Sequence, residues 1–121
     1  MTDYSKMSDF EINKAVGDAI GLEWSELDQN YNGLCYWEVG CLFVFNPIKD
    51  PADAWPIIAE NRIGIIPAPE NGWWKAAHRK VGSDSDPYHM NKDSNPLRAA
   101  MIVFLMMQES KNAKIPSERD S

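Results

Sequence analysis

Asn95-Pro96-Leu97-Arg98-Ala99-Ala100-Met101-Ile102-Val103-Phe104-Leu105-Met106-Met107-Gln108 decides the architecture. Asn before Pro is a helix start: the Asn95 side chain can accept from the first free amides, and Pro96 sits at the first helical position, where a missing N–H removes nothing. Beyond Leu97 the apolar residues cover every side of the helix rather than one stripe, so the segment must be enclosed by the rest of the chain. Its eight large apolar side chains represent about 12 to 24 kcal/mol of gross burial at roughly 1.5 to 3 kcal/mol each. The unbroken apolar run, Ala99 to Met107, is nine residues, far short of the ~20 that cross a bilayer. A buried central helix is therefore expected, not a membrane span. A 121-residue chain has limited means to cover such a helix on all sides, and a homodimer is one way to do so.

Upstream of this helix, Gly82 to Ser94 is rich in polar and turn residues and reads mostly as loop, with Tyr88-His89-Met90 a candidate short strand. Ile63 to Ile66 and Trp73 to Lys80 flank Asn71-Gly72, a preferred hairpin dipeptide, and predict two antiparallel strands. Pro67 and Pro69 cannot donate to a ladder, which makes the first of these strands short or an edge. Asp50-Pro51-Ala52-Asp53 opens another helix. We place its regular part after Asp53, so that Pro56 falls in the first turn, with Trp55, Ile57 and Ile58 facing inward and an end near Arg62 to Gly64. From Cys35 to Phe45 the odd positions are all apolar, which predicts a strand with that face buried; Gly40 marks either a bulge or a turn dividing it in two. Residues 23 to 33 read as loop. Ser8-Asp9-Phe10-Glu11 is a capping box, Ile12, Ala15, Val16, Ala19 and Ile20 follow at helical spacing, and Gly21 supplies a left-handed stop, so a helix over residues 9–20 is predicted. Downstream, Lys111 to Ser121 carries Pro116 and several charges and reads as a flexible tail, leaving residues 1–110 as one domain.

The fold class expected is thus α+β: a small antiparallel sheet of three or four strands packed with three helices, the C-terminal helix central and apolar. Composition agrees, since 44% apolar and 25% charged residues are ordinary for a globular domain. The start of the chain, Met1 to Lys6, shows no basic and apolar signal pattern, which predicts a cytoplasmic protein. Net charge is −6, divided into −8 over residues 1–60 and +2 over residues 61–121. An acidic total argues against general duplex DNA binding, which needs several Lys or Arg to displace counterions. Cys35 and Cys41 are spaced neither as a zinc knuckle nor as a redox pair and read as buried thiols.

No pattern in the chain specifies a reaction: nucleophile-elbow, zinc-protease, phosphate-loop and dinucleotide motifs are all missing. The most suggestive constellation is Trp73 to Lys80, which sets Lys75 and Arg79 on one strand face and Trp74, His78 and Lys80 on the other. With Arg98 from the helix start, an indole among cations could hold a nucleotide, a signalling molecule or single-stranded nucleic acid. The alternative is that one Trp fills the core and the cations balance the acidic half. His78 and His89, with Asp84, Asp86 and Glu38, include the residue types for a small hydrolase, but their spacing supports neither that nor a metal, and no cofactor is expected.

Three stretches, Tyr4 to Ala15 (YSKMSDFEINKA), Asp50 to Ile63 (DPADAWPIIAENRI) and Asn95 to Gln108 (NPLRAAMIVFLMMQ), resemble the NinX-type family of small lambdoid bacteriophage proteins. The order helix, strand, helix, hairpin, helix is similar to phage sandwich domains as well. The resemblance covers most of residues 4–110 and implies an accessory role in the infected bacterium, with no assigned activity and no site residues to transfer. The acidic first half and the lack of catalytic motifs add the expectation that this role is non-enzymatic and consists in binding a host protein.

Overall fold

The computed structural model describes residues 3–24, 34–38, 40–78 and 89–120. The chain enters through a single 3₁₀ turn at Tyr4–Lys6 and then α1, Asp9–Ile20. The capping box forms as the sequence predicts: the Ser8 hydroxyl accepts from the Glu11 amide at 3.1 Å, and Glu11 accepts from the Ser8 amide at 3.0 Å. Gly21, with φ of +82°, closes the helix. Its amide donates to Asp18 O and that of Leu22 to Gly17 O, so the last carbonyls are paired.

Sheet one has the order β1 (Glu23–Trp24), β2 (Leu34–Glu38), β3 (Cys41–Phe45), all antiparallel. Glu23 and Trp24, expected in a loop, instead pair with Trp37 and Tyr36; the remainder of that loop lies outside the described residues. Gly40, at φ of +75°, divides the 35–45 run into two strands, with Glu38 directly opposite Cys41. This overturns the single buried odd face. A reversal over two residues changes parity, so Tyr36 lies opposite Phe43 and Cys35 opposite Val44. Tyr36, Phe43 and Phe45 consequently share one face: Tyr36 stacks on Phe43 with centroids 5.6 Å apart and meets Phe45 edge-on at 6.0 Å. Phe45 is buried, whereas Phe43 is exposed. Cys35 is a buried thiol, not half of a disulfide; the Cys41 side chain lies outside the described residues. Trp24 covers Gly17 of α1 so closely that a Cβ there would come within 2.2 Å of the indole, which is why the helix carries no side chain at that point.

α2 spans Pro51–Glu60, one turn earlier than expected, with Asp50 as N-cap accepting from Ala52 N at 2.9 Å. Pro56 therefore lies inside the helix, where it removes one intrahelical hydrogen bond. The buried face is Ala54, Ile57 and Ile58. Trp55, expected to point inward, is 64% exposed, because it stands one residue, about 100° of turn, past Ala54 and so off the face that Ala54, Ile57 and Ile58 define. Arg62 takes the left-handed position after the helix, at φ of +56°, and the Ile63 amide returns to Ile58 O.

Sheet two has the order β4 (Gly64–Pro67), β5 (Trp74–His78), β6 (His89–Asp93). The β4–β5 hairpin is the expected one, with Gly72 at φ of +82° in its connection and Pro67 on an edge strand. β6 is a full five-residue strand where the sequence suggested mostly loop. The α+β class holds, with the strands divided between two three-stranded sheets. α3, Pro96–Asp120, packs against sheet two, α1 and α2. Every residue from Ala99 to Leu105 is buried. Its backbone is helical through to Asp120, across the segment where the sequence suggests a tail.

Candidate functional site

The Asn95 cap forms as expected: its side-chain oxygen accepts from Leu97 N at 2.9 Å and Arg98 N at 3.2 Å, while its amide donates to Ile48 O. Its neighbour Arg98 is thereby placed inside the molecule. Arg98 Nε donates to Asp93 at 3.1 Å, Nη1 to Asp9 at 2.6 Å, and Nη2 to the carbonyls of Met7 and Ser5 at 2.6 and 3.3 Å. This guanidinium ties the first turn of α3 to β6, to α1 and to the N-terminal segment. A second tie, Tyr4 OH to Glu109 at 2.6 Å, holds the same segment against α3 eleven residues further on. Arg98 thus has its donors occupied by the fold.

In β5, Ala76 is fully buried, so Trp74, Ala76 and His78 share the face toward α3 while Lys75 and Ala77 lie on the outer one. Trp74 and Lys75 are consequently brought to opposite faces, and Trp74 is only about a third exposed (36%). Arg79 and Lys80 lie outside the described residues. On the outer face the register sets Lys75 opposite Lys92 on one side and Ile66 on the other, with Met90 opposite Ala77. Lys92 is paired to Glu70 at 3.0 Å, and among the described residues Lys75 has no ion pair. Ile66 and Met90 are both about half exposed, at 56% and 47%. The outer face thus combines apolar and basic groups, and neither Ile66 nor Met90 was legible as a site residue. Alternation along one strand fixes neither the register that sets Ile66 and Met90 beside Lys75 nor the face that the helix covers.

On the inner face the two histidines do converge. His78 and His89 are direct cross-strand partners with rings stacked 6.0 Å apart. Burial pushes the His78 pKa below its ordinary value, with the Lys111 charge adding to it; for His89 burial acts first and His78 second. Both are therefore biased toward the neutral form. Asp84 and Asp86, the carboxylates that would accompany them in acid–base work, lie outside the described residues. Among the described residues no three His, Cys, Asp or Glu side chains are arranged to hold a metal, and no helix is long and apolar enough to cross a membrane.

The family model of bacteriophage P22 NinX matches residues 3–108. The chain belongs to the phage P22 NinX family. The match spans all three stretches that carried the resemblance, and it covers α1, α2, both sheets and the sealed part of α3. The family relation makes this a bacteriophage protein with an α+β fold. No curated protein matches the chain.

Proposed function

We propose that this NinX-family protein is a non-enzymatic phage accessory module that works in the cytoplasm of the infected bacterium by binding a host protein. The observation that supports it is the outer face of sheet two, where exposed Ile66 and Met90 flank Lys75 and Lys92 on a rigid ladder. Apolar groups beside cations suit a partner surface with exposed aliphatic and acidic residues. Affinity capture from infected cells tests this. The wild-type chain should recover one stoichiometric partner, and Ile66→Asp or Lys75→Glu should lose it. A partner retained by both variants, or none recovered at low salt, overturns the reading.

A second reading draws on the Lys75–Lys92 juxtaposition: two cations directly opposite on one face suit a small anionic ligand, a nucleotide or single-stranded nucleic acid. Titration with a short oligonucleotide at low salt separates the two readings. Binding that weakens with salt and disappears in Lys75→Glu, while capture of the protein partner fails, supports this one.

A further inference from the structure

Among the described strands, β1, β3, β4 and β6 lie at sheet edges. An edge offers unpaired N–H and C=O groups to another strand, and folded proteins guard it with brevity, charge or proline. β1 has two residues and carries Glu23, β4 has four and ends on Pro67, and β6 carries Lys92 and Asp93. β3 has none of these guards: its five residues, Cys41-Leu42-Phe43-Val44-Phe45, are all apolar and extended. Phe43 and Val44 are 44% and 56% exposed, so both faces of its middle reach solvent.

The hydrogen-bond phase of β3 says which strand fits it. The β2–β3 hairpin closes on Glu38 opposite Cys41, a pair that exchanges both backbone hydrogen bonds across a two-residue turn. Alternation then directs Cys41, Phe43 and Phe45 to β2, and the N–H and C=O of Leu42 and Val44 to the open edge. The Asn46 amide, next in that outward phase, donates to Asp53 Oδ2 at 2.9 Å, which ends the open stretch. A second β3, placed antiparallel about a two-fold axis through Phe43, sets Leu42 of each copy opposite Val44 of the other. Every outward N–H and C=O of these residues then finds its partner. Moving the axis to Val44 sets Leu42 against Asn46, whose N–H Asp53 already holds; moving it to Leu42 sets Val44 against Gly40, in the turn at φ of +75°. The occupant must bring an uncharged extended strand with free groups in the complementary phase, and β3 itself brings both. We propose that the open edge of β3 is an isologous interface with a second copy of this chain, the two strands antiparallel about Phe43. The two Phe43 residues form a non-hydrogen-bonded pair, with Cα atoms about 4.5 Å apart, on the face where Phe43 stacks on Tyr36. The joined sheet runs β1-β2-β3-β3-β2-β1 and stops at the short, acidic β1 edges, so assembly closes at the dimer. A strand contact of this length makes the dimer weak and concentration-dependent.

Sedimentation equilibrium on the full chain over a wide concentration range is the test, with circular dichroism and urea unfolding confirming that each variant folds. The wild-type mass should rise toward twice that of the chain and no further. Val44→Pro removes an outward N–H while leaving the β2 ladder intact, and should raise the dimer dissociation constant at least about tenfold. Phe43→Asp sets two carboxylates against each other on the axis, and Phe43→Lys two ammonium groups, so each variant alone should dissociate more readily. An equal mixture of the two should recover the dimer, because the pair on the axis is then opposite in sign. Should Val44→Pro fail to fold, the charged pair alone decides. A wild-type chain that stays monomeric at every concentration, a mass that grows past two copies, a dimer indifferent to folded Val44→Pro, or a mixture that fails to recover it would each overturn the proposal.

Discussion

α3 and α2 both carry apolar residues over more of their surface than one buried face requires, and the fold treats them oppositely. α3 is enclosed by α1, α2 and sheet two, so Ala99 through Leu105 are buried without a break. α2 is applied to α3 on one side only, leaving Trp55, Ala52, Pro56 and Ala59 in solvent. Apolar content tells that a helix can be buried; the number of elements that reach it decides whether it is. The same contrast separates a contribution to stability from a contribution to recognition, because an uncovered apolar side chain adds little to the folded state and much to an encounter.

Substitution in the sealed helix should produce the largest effect. Phe104, 3% exposed, replaced by Ala should lower unfolding free energy by about 3 to 5 kcal/mol, read by urea denaturation; a loss below about 1 kcal/mol would mean that α3 is not enclosed. Arg98→Met comes next. It leaves Asp93, itself mostly buried, without its guanidinium, at a loss of order 2 to 3 kcal/mol. Arg98→Lys should recover only part of it, since one ammonium cannot reach β6, α1 and the N-terminal carbonyls together; full recovery would show that charge alone matters there.

A smaller effect concerns the later turns of α3, where Lys111 lies near the stacked histidines. Their folded pKa values are lowered from 6.5, so the unfolded chain takes up protons first as the medium is acidified. Stability should be complete above the unfolded value and decline as pH falls from there through the lowered folded values. The raised Asp53 acts in the reverse sense, favouring the folded state while protonated and losing that contribution as pH rises through the carboxylate range, so the two windows are distinct. His78→Gln with His89→Gln should flatten the histidine segment of a stability–pH curve; an unchanged slope would place its origin elsewhere. The smallest effect is expected on α2: Trp55→Ala in dilute solution should leave stability within about 0.5 kcal/mol. A large loss would show the indole to be enclosed and would erase the contrast between the two helices.

Local chemistry made part of this legible beforehand. Ser8 with Glu11, Gly21, Asn71 with Gly72, and Asn95 with Pro96 all act on groups within a few residues, and each forms as the sequence predicts. Errors arose where a turn altered phase. The two-residue reversal at Gly40 inverted the parity of β3 relative to β2, and the face of α2 that packs inward is centred on Ala54, Ile57 and Ile58, which leaves Trp55 outside it. Of the candidate site residues, His78 met His89 across the ladder, Trp74 and Lys75 parted to opposite faces, and Arg98 became a structural tie.

The amino-acid order alone determined that this chain encloses an apolar helix near its C-terminus, caps its first and last helices at Ser8 and Asn95, and belongs with phage NinX proteins. These follow from short-range hydrogen bonding, from hydrophobic transfer, and from residue combinations visible without any fold. Only the tertiary structure decided that Arg98 faces inward to four acceptors, that the strands divide into two sheets, and that one apolar face of α2 remains uncovered. Which side of an element meets solvent depends on the neighbours that pack against it, and those neighbours lie dozens of residues away along the chain.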